Sequence, residues 1–392
     1  MRTVLGIDVS KSKSNLCLVS DDGEIITEKK ICNDLNGFEV IKSLFSEFTP
    51  EVIFEATGVY SRKLQYFLEL NGIAYTCVNP LKAKKEMDTL RVTKNDRIDS
   101  KNLAILQLRR GYSETKLEKK IYLEIRRRHR FYQSITEDSV SAQNRLHKVL
   151  QETFSGVEDL FAGTELNFFR ILTIFPHAQL VSKLEVSTIA IRISEVMNRR
   201  PESVLKRAEK LKKLAVKTAV SVETDSYAID EVRYWAKRVL DLAQQKKDLL
   251  EEMYQVASEL DELQIIESIP GIGNAGALGI IAELGDIRRF SRPQKMSAFL
   301  GLDIRFSDSG KLTTRGFITK RGNSAGRKLL YRVTLSIIAA SRWGNNTSVS
   351  DWYNRRAKDE HNGKKKIIVG AMDRTLRLIH HLVFEKEYYL VR

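Results

Sequence analysis

Four carboxylates in the first hundred residues have the type and the placement to bind a divalent cation. Asp8 lies within one short apolar run, and Glu55 ends another. Asp96 and Asp99 are three residues apart in a stretch with helical spacing, so both face the same way. Oxygen ligands favour a hard cation such as Mg2+ over a soft metal. Two such ions, about 3.5 to 4 Å apart, stabilise both the attacking and the leaving oxygen of an in-line displacement. The residues therefore predict metal-dependent phosphodiester chemistry.

Two of the carboxylates also have a simpler explanation. Asp96 and Asp99 would lie in the first turn of a helix, where the helix dipole stabilises negative charge without any ligand. This explanation suits Asp8 less well, because an ionised carboxylate among apolar neighbours is costly unless it is paired or bound to a cation. Taken together, the four acids favour a cation site.

The elements around these acids follow from hydrophobic periodicity. Strands are predicted over 4–9, 15–20 and 24–31, with the hairpin sequence Asp21-Asp22-Gly23 between the last two. Helix and strand patterns then alternate, over 37–48, 52–55, 61–70 and 74–78. Three antiparallel strands followed by this alternation are the order expected of the ribonuclease H fold. Asp8 would stand on the central strand and Glu55 at the carboxyl end of the next parallel strand, where open α/β sheets place their sites.

Composition limits the classes of partner. The chain has 392 residues, enough for two or three domains, and a net charge of +15 that attracts polyanions such as nucleic acid. No apolar run is long enough to span a bilayer, and the amino terminus does not resemble a signal peptide, so a cytoplasmic protein is expected. Cys17, Cys32 and Cys77 have no metal-ligand spacing and are interpreted as buried small hydrophobes.

The middle of the chain is predicted to be helical. The basic run Arg126–Arg130 is either a solvated face or a phosphate contact. A heptad pattern, here called the heptad seam, then alternates spacings of three and four, with Lys246 in its one gap. The seam consists of Val232, Trp235, Val239, Leu242, Leu249, Met253, Val256, Leu260 and Leu263. Its partner is either the 116–150 helix of the same chain or another subunit. No site can be placed within 154–225.

The last third contains a candidate nucleophile. The sequence 269–273, Ile-Pro-Gly-Ile-Gly, resembles a helix-hairpin-helix turn, whose glycines let backbone amides approach a phosphate. Ser309 precedes a glycine in a loop rich in cations that could stabilise phosphate charge, although Ser-Asp-Ser-Gly is also ordinary turn chemistry. Ser307 is the alternative hydroxyl. Lys364–Lys366 and the pair Trp352 and Tyr353 either add backbone and stacking contacts or belong to a solvated tail.

Five ordered motifs resemble the insertion-sequence one-ten family of transposases. They lie in residues 1–110 and 265–345 and read Gly6-Ile7-Asp8-Val9-Ser10-Lys11, Phe54-Glu55-Ala56-Thr57-Gly58-Val59-Tyr60, Lys94-Asn95-Asp96-Arg97-Ile98-Asp99, Ile269-Pro270-Gly271-Ile272-Gly273, and Ser309-Gly310-Lys311 ahead of Lys320-Arg321-Gly322-Asn323. The third motif departs from the usual pattern, because Asn95 and Ser100 replace a threonine and an alanine. Neither change removes an acid.

The resemblance implies a fold, a site and partners. The fold class is α/β plus all-α, with a ribonuclease-H-like domain similar to the Holliday-junction resolvase RuvC at 1–115, a helical coiled-coil region at 116–264 and a mainly helical transposase domain at 265–392. The four-acid set of the family falls on Asp8, Glu55, Asp96 and Asp99, holding Mg2+ near a catalytic serine that maps to Ser309.

The family further implies a recombinase that forms a covalent phosphoserine link to DNA. Its members work as tetramers on two DNA duplexes, donor and target, directed by a structured bridge RNA. We therefore expect double-stranded DNA, a guide RNA and further copies of the chain as partners.

Three other functions remain open from the sequence. The first is a metal-dependent, junction-resolving endonuclease that uses water, in which Ser309 is structural. The second is an actin-like sugar kinase or ATPase, which would need a second sheet domain with its own glycine-rich phosphate loop. The third is a noncatalytic binding protein, which gives no reason for four acids to converge in a basic chain.

Overall fold

The computed structural model describes residues 2–80, 83, 86, 96–161, 166–305, 308–309, 312–313, 317–359 and 363–390. The chain divides into two compact units, Met1–Leu117 and Glu118–Arg392. The three-domain division expected from the sequence stays a prediction.

The first unit is a mixed α/β domain built on one five-stranded sheet. Its strands are β1 (Thr3–Val9), β2 (Lys13–Ser20), β3 (Ile25–Cys32), β4 (Glu51–Glu55) and β5 (Tyr75–Val78), in the order β3-β2-β1-β4-β5. The first three pair antiparallel, whereas β4 is parallel to both β1 and β5. The helices are α1 (Leu35–Phe48), α2 (Ser61–Leu70) and α3 (Asp96–Arg110). These elements agree with the predicted ones to within a few residues.

Both faces of this sheet are covered. Alternate residues of the central strands, such as Ile7 and Phe54, pack in one apolar cluster with α1 and α2. The other face presents Val4 and Ile53, which cluster with Leu103 of α3. Because side chains alternate along a strand, each central strand is buried on two sides, and a polar residue within it is conspicuous.

The second unit is mostly helical. Its first half holds α4 (Lys120–Thr153), α5 (Leu166–Ile174), α6 (Ala178–Ser182), α7 (Val186–Val196), α8 (Pro201–Lys217) and α9 (Ala228–Ala257). Its second half holds α10 (Asp261–Glu267), α11 (Asn274–Leu284), α12 (Pro293–Phe299), α13 (Ser324–Ala340), α14 (Ser348–Asp359) and α15 (Lys364–Glu385). Four two-residue strands lie between α12 and α13, namely β6 (Ile304–Arg305), β7 (Asp308–Ser309), β8 (Leu312–Thr313) and β9 (Phe317–Ile318). Among the helices in the described ranges, none is long and apolar enough to cross a membrane.

The heptad seam pairs within the chain. Helix α9 runs antiparallel to α4, since the Arg145 guanidinium lies 4.8 Å from the Trp235 ring centroid and the Arg128 side chain 3.8 Å from that of Glu252. Of the two partners that the sequence left open, the helix of the same chain is the one in contact. The seam is also shorter than predicted, because α9 ends at Ala257.

Three local expectations differ from the structure. The cysteine interpretation holds for Cys17, which is buried, but Cys32 is exposed. The Trp352 ring is not free for base stacking, because Gly370 of α15 packs against it and Arg374 lies 4.3 Å from its centroid.

The basic run of α4 is the third difference. Arg126 donates to both Glu118 oxygens at 2.5 and 2.6 Å and Arg128 donates to Glu124 at 2.6 Å, whereas Arg127 is exposed. The run therefore combines internal ion pairs with a solvated cation, and its contact with phosphate stays a prediction.

Candidate active site

Asp8 and Glu55 occupy equivalent places on neighbouring strands. In the parallel pair of β1 and β4, Ile7 lies beside Phe54, and each acid is the next residue along its strand. The side chains of Ile7 and Phe54 belong to the cluster with α1 and α2, so the two acids project from the opposite face. Both are half-buried. The pair therefore lies at the carboxyl ends of parallel strands, where the sequence predicted it.

Helix α3 covers that same face and runs against the strand direction. Near its end, the Leu108 carbonyl accepts from Arg2 at 3.5 Å, and Gln107 donates to Glu51 at 2.8 Å. Arg2 and Glu51 lie at the amino ends of β1 and β4, so the start of α3 points to their carboxyl ends. Asp99, half-buried in the first turns of α3, is thereby directed to the edge of the sheet that carries Asp8 and Glu55.

A glycine brings α3 this close. A Cβ atom built on Gly6 would lie 2.0 Å from the Ser100 carbonyl oxygen and 2.8 Å from the Ala104 nitrogen. Only a residue without a side chain fits there. Gly6 lies two residues before Asp8, and Ser100 directly follows Asp99. This contact therefore sets the distance between α3 and the sheet, and with it the position of Asp99.

The acids have polar neighbours of their own. Asp8, Glu55 and Asp99 each take part in a hydrogen bond or charge interaction. Burial first, and then the nearby Glu55 carboxylate, raise the pKa of the Cys77 thiol. Among side chains that the structure describes, no three His, Cys, Asp or Glu residues form a group that could hold a metal ion, so Asp8, Glu55 and Asp99 do not form one by themselves. The side chain of Asp96 lies outside that set, so the four-carboxylate site stays a prediction. Its all-oxygen donor chemistry fits a hard divalent cation.

Ser309 lies in a small hairpin of the second unit. It is the last residue of β7 and pairs with Leu312 of β8, while Asp308 pairs with Thr313. Ser307 and the side chain of Ser309 lie outside the described residues. A second antiparallel pair, Ile304 with Ile318, closes the segment on either side. The candidate nucleophile is thus carried on a paired strand.

The base of this segment is held by backbone hydrogen bonds. The Thr319 amide donates to the Asp303 carbonyl at 2.8 Å, and the Asn323 amide donates to the Phe299 carbonyl at 3.0 Å. Of the predicted cations, Lys320 and Arg321 are exposed, whereas Arg327 donates to the Leu300 carbonyl at 2.8 Å. Arg327 therefore supports the fold, and Lys320 and Arg321 remain available to an anion.

A buried carboxylate that the sequence analysis missed anchors this base. Glu283 of α11 is 1% exposed and accepts from Arg130 at 2.6 and 2.7 Å and from the Asn323 amide group at 2.7 Å. Burial favours the neutral acid, but hydrogen bonds from His129, Arg130 and Asn323 prevail and lower the pKa of Glu283 to about 2. Asn323 also caps α13 by accepting from the Gly326 amide at 3.0 Å. An acid inside the otherwise apolar stretch 275–284 was the available sequence signal.

Comparisons with known proteins agree with these features. Residues 5–155 match a model described as a transposase of the DEDD type, and residues 263–348 match the model of the IS116/IS110/IS902 transposase family. The transposase for insertion sequence element IS1111A of Coxiella burnetii (strain RSA 493 / Nine Mile phase I) is 23% identical over 98% of this chain and 91% of its own. T. thermophilus RuvC in complex with Holliday junction substrate aligns with 30% of this chain and all of its own, at 11% identity and a TM-score of 0.24. That value is too low to support the fold assignment.

The matched models and the relative define the class of protein: this chain is a DNA transposase. Within that class it belongs to the IS110 family, as the five motifs predicted. The kinase or ATPase alternative is therefore wrong. Its second sheet domain has no counterpart in the described part of the second unit, where the only strands are two residues long.

Proposed function

We propose that this transposase is an RNA-guided recombinase that cuts and rejoins DNA through a covalent link to Ser309, aided by Mg2+ bound at a ribonuclease-H-like acidic site. The observation that supports the metal part is the placement of Asp8 and Glu55 at the carboxyl ends of neighbouring parallel strands, with the start of α3 directed to the same edge of the sheet. The strand order β3-β2-β1-β4-β5 is the one expected of a ribonuclease H fold and supports the same assignment.

The covalent step exchanges one phosphodiester for another. The Ser309 Oγ attacks phosphorus, its hydroxyl proton leaves, and the bond from phosphorus to the departing deoxyribose oxygen breaks as that oxygen gains a proton. Resealing is the reverse reaction with a hydroxyl of the exchanged strand. Bound Mg2+ would polarise the phosphate and stabilise charge on its oxygens. The chain itself contributes ligands from Asp8, Glu55, Asp96 and Asp99 and exposed cations, Lys320 and Arg321, beside the serine segment.

The proposed partners are donor and target DNA duplexes, a structured guide RNA and further copies of this chain. The net charge of +15 supports binding of polyanions in general. Purifying the protein from cells that carry the whole element and sequencing the associated RNA tests the guide. One discrete, structured species supports it, and a random sample of cellular RNA contradicts it.

Trapping the protein–DNA adduct tests the nucleophile. We expect Ser309→Ala to bind DNA as the wild type does and to give no shifted band on a denaturing gel. Ser307→Ala is the matched control, because it removes a hydroxyl two residues away and should still form the adduct. Loss of the adduct in Ser307→Ala alone would move the nucleophile to Ser307. Cleavage with free, hydrolysed ends and no adduct in the wild type would favour a water-using endonuclease.

The same assay tests the metal site. Asp8→Asn keeps the shape of the side chain and removes its charge, so adduct formation should become dependent on much higher Mg2+ concentrations. An unchanged Mg2+ dependence in Asp8→Asn and in Glu55→Gln would exclude these two ligands.

A further inference from the structure

A cleft in the second unit is lined by three cations from two helices that are far apart in sequence. It has a volume of about 680 Å3 and lies between α4, α9, α13 and the turn that precedes α11. Lys246 projects into it from α9, and Lys328 and Arg332 from α13. Glu137 is the one carboxylate among its lining residues, and it lies 3.9 Å from Lys328. The cleft therefore carries an excess of positive charge.

Lys246 is the residue that fills the gap in the heptad seam. Its ammonium lies 5.2 Å from the Tyr132 ring centroid, and burial lowers its pKa. Within the described part of the chain, no carboxylate lies within ion-pair distance of this ammonium. A lysine that only covered the α4–α9 contact would extend its ammonium into water. Here the charge is held at the wall of a cleft, where an anion can reach it.

The other two cations face a second groove as well. Lys328 and Arg332 are one turn apart on α13, so they lie on one face and repel each other. They also line an adjoining groove of about 510 Å3 that contains Leu302 and Ile318, at the base of the Ser309 segment. A bound anion would relieve their repulsion from either side.

The length of this surface indicates a polymer. The α13 residues that line the two grooves extend from Ser324 to Ser336. They span about 18 Å at 1.5 Å per residue, which is the length of about five nucleotides at 3.4 Å each. The opposite wall is the glycine turn, where Gly273 has no atom within 4 Å of the position that a Cβ would occupy. Bare backbone there leaves room for a phosphate and sugar.

We propose that this cleft binds the phosphodiester backbone of a DNA strand, which runs along α13 past Arg332 and Lys328 toward the base of the Ser309 segment. Lys246 holds a phosphate within the cleft. The binding is independent of sequence, because ammonium and guanidinium groups contact phosphate rather than base edges. The inference rests on the proposed function only in taking DNA as the substrate.

The experiment compares two adjacent lysines of α9. Lys246→Met keeps the length and apolar stem of the side chain and removes the charge inside the cleft. Lys247→Met makes the same change one residue away, at a side chain that is 69% exposed and lies 3.8 Å from Glu251. Binding of a fluorescein-labelled 30-base-pair duplex of arbitrary sequence to the full-length protein is measured by anisotropy over a range of salt concentrations.

We expect Lys246→Met to weaken duplex binding by about fivefold to tenfold and to reduce the slope of log K against log salt by about 0.9, the value for one phosphate contact. Lys247→Met should stay within about twofold of the wild type. Thermal unfolding separates this from a structural role, since replacing a partly buried charge by methionine should leave the melting temperature unchanged or raise it. Arg332→Gln, at an exposed side chain that poses little risk to folding, should weaken binding similarly.

Equal affinity of the Lys246→Met and Lys247→Met proteins would overturn the proposal, as would a normal salt slope in both Lys246→Met and Arg332→Gln. A parallel titration with a 30-nucleotide RNA hairpin decides the source of the phosphate. Loss of RNA binding with unchanged duplex binding would refute the assignment to DNA. Failure of the covalent chemistry would appear instead as a missing adduct in the wild-type protein at saturating DNA.

Discussion

Replacing Gly6 by alanine tests whether the contact between β1 and α3 assembles the acidic site. The added Cβ would lie 2.0 Å from the Ser100 carbonyl oxygen, whereas a close carbon–oxygen contact needs about 3.3 Å. Helix α3 must therefore retreat from the sheet by about 1.3 Å. Asp99, the residue before Ser100, moves with it. We expect adduct formation to fall by about a hundredfold, a loss that a misplacement of about 1 Å can cause in an active site.

Stability should change less than activity. Overpacking of this kind costs about 1 to 3 kcal/mol, so the Gly6→Ala protein should still fold. Gly72→Ala is the matched control, because Gly72 has a φ of 64° and no atom within 4 Å of a built Cβ. That change should cost about 1 to 2 kcal/mol through backbone strain alone, without moving α3. Urea unfolding measures both costs, and the rate of adduct formation at saturating Mg2+ measures the site.

Comparing the two variants shows whether the distance between α3 and the sheet matters for catalysis. A Gly6→Ala protein that reacts within about threefold of Gly72→Ala would show that the depth of α3 does not matter for catalysis. Asp96 and Asp99 would then be explained by the helix dipole alone, which stabilises negative charge in a first turn.

Two further predictions concern the second unit. Gly271 has a φ of 90°, and a Cβ there would lie 2.7 Å from the Cα of Ile337, so Gly271→Ala should cost about 3 kcal/mol or more in urea unfolding. Gly273→Ala, at a position open to solvent, should cost less than about 1 kcal/mol, and equal costs would contradict the packing argument. Glu283 has a pKa of about 2 in the folded protein, below its ordinary value of 4.5, so its stabilisation is complete above pH 4.5 and is lost as pH falls toward 2. Glu283→Gln should therefore lower the free energy of unfolding by about 3 kcal/mol at pH 7 and by progressively less from pH 4 downward, and a pH-independent difference would refute the assignment.

The strands and helices of the first unit were predictable because each depends on the pattern of residues within its own segment. Strand alternation and one hairpin sequence gave β1 to β3, and the acids at strand ends were visible as charges beside apolar runs. The direction of α3 over the sheet was not visible in the same way. It depends on contacts such as Arg2 with Leu108, which are far apart in sequence, and on one backbone approach at Gly6.

The heptad seam shows how a periodic pattern can continue past the end of a helix. Val256, Leu260 and Leu263 keep the spacing, but α9 ends at Ala257 and Leu260 has an extended backbone before α10. The seam divides between two apolar clusters, because Val232 to Leu249 pack in one, whereas Met253 and Leu263 are buried in another with α11 and α13. The spacing of apolar residues predicts that they are buried, but the tertiary packing determines which apolar cluster they join.

A single charged residue inside an apolar segment indicated a specific contact better than a run of charged residues did. Most side chains of the run Arg126–Arg130 bind partners within the chain. Among them, Arg130 donates two hydrogen bonds to one buried acid, Glu283. Lys246 is likewise a single charge in an apolar pattern, and it faces a cleft rather than a partner. Isolating a charge among apolar residues costs free energy, so such a residue is retained where a hydrogen-bond network or a ligand compensates it. A hydrogen-bond network within the chain compensates Glu283. For Lys246 the proposed compensation is a bound phosphate, and the duplex titration of Lys246→Met tests it.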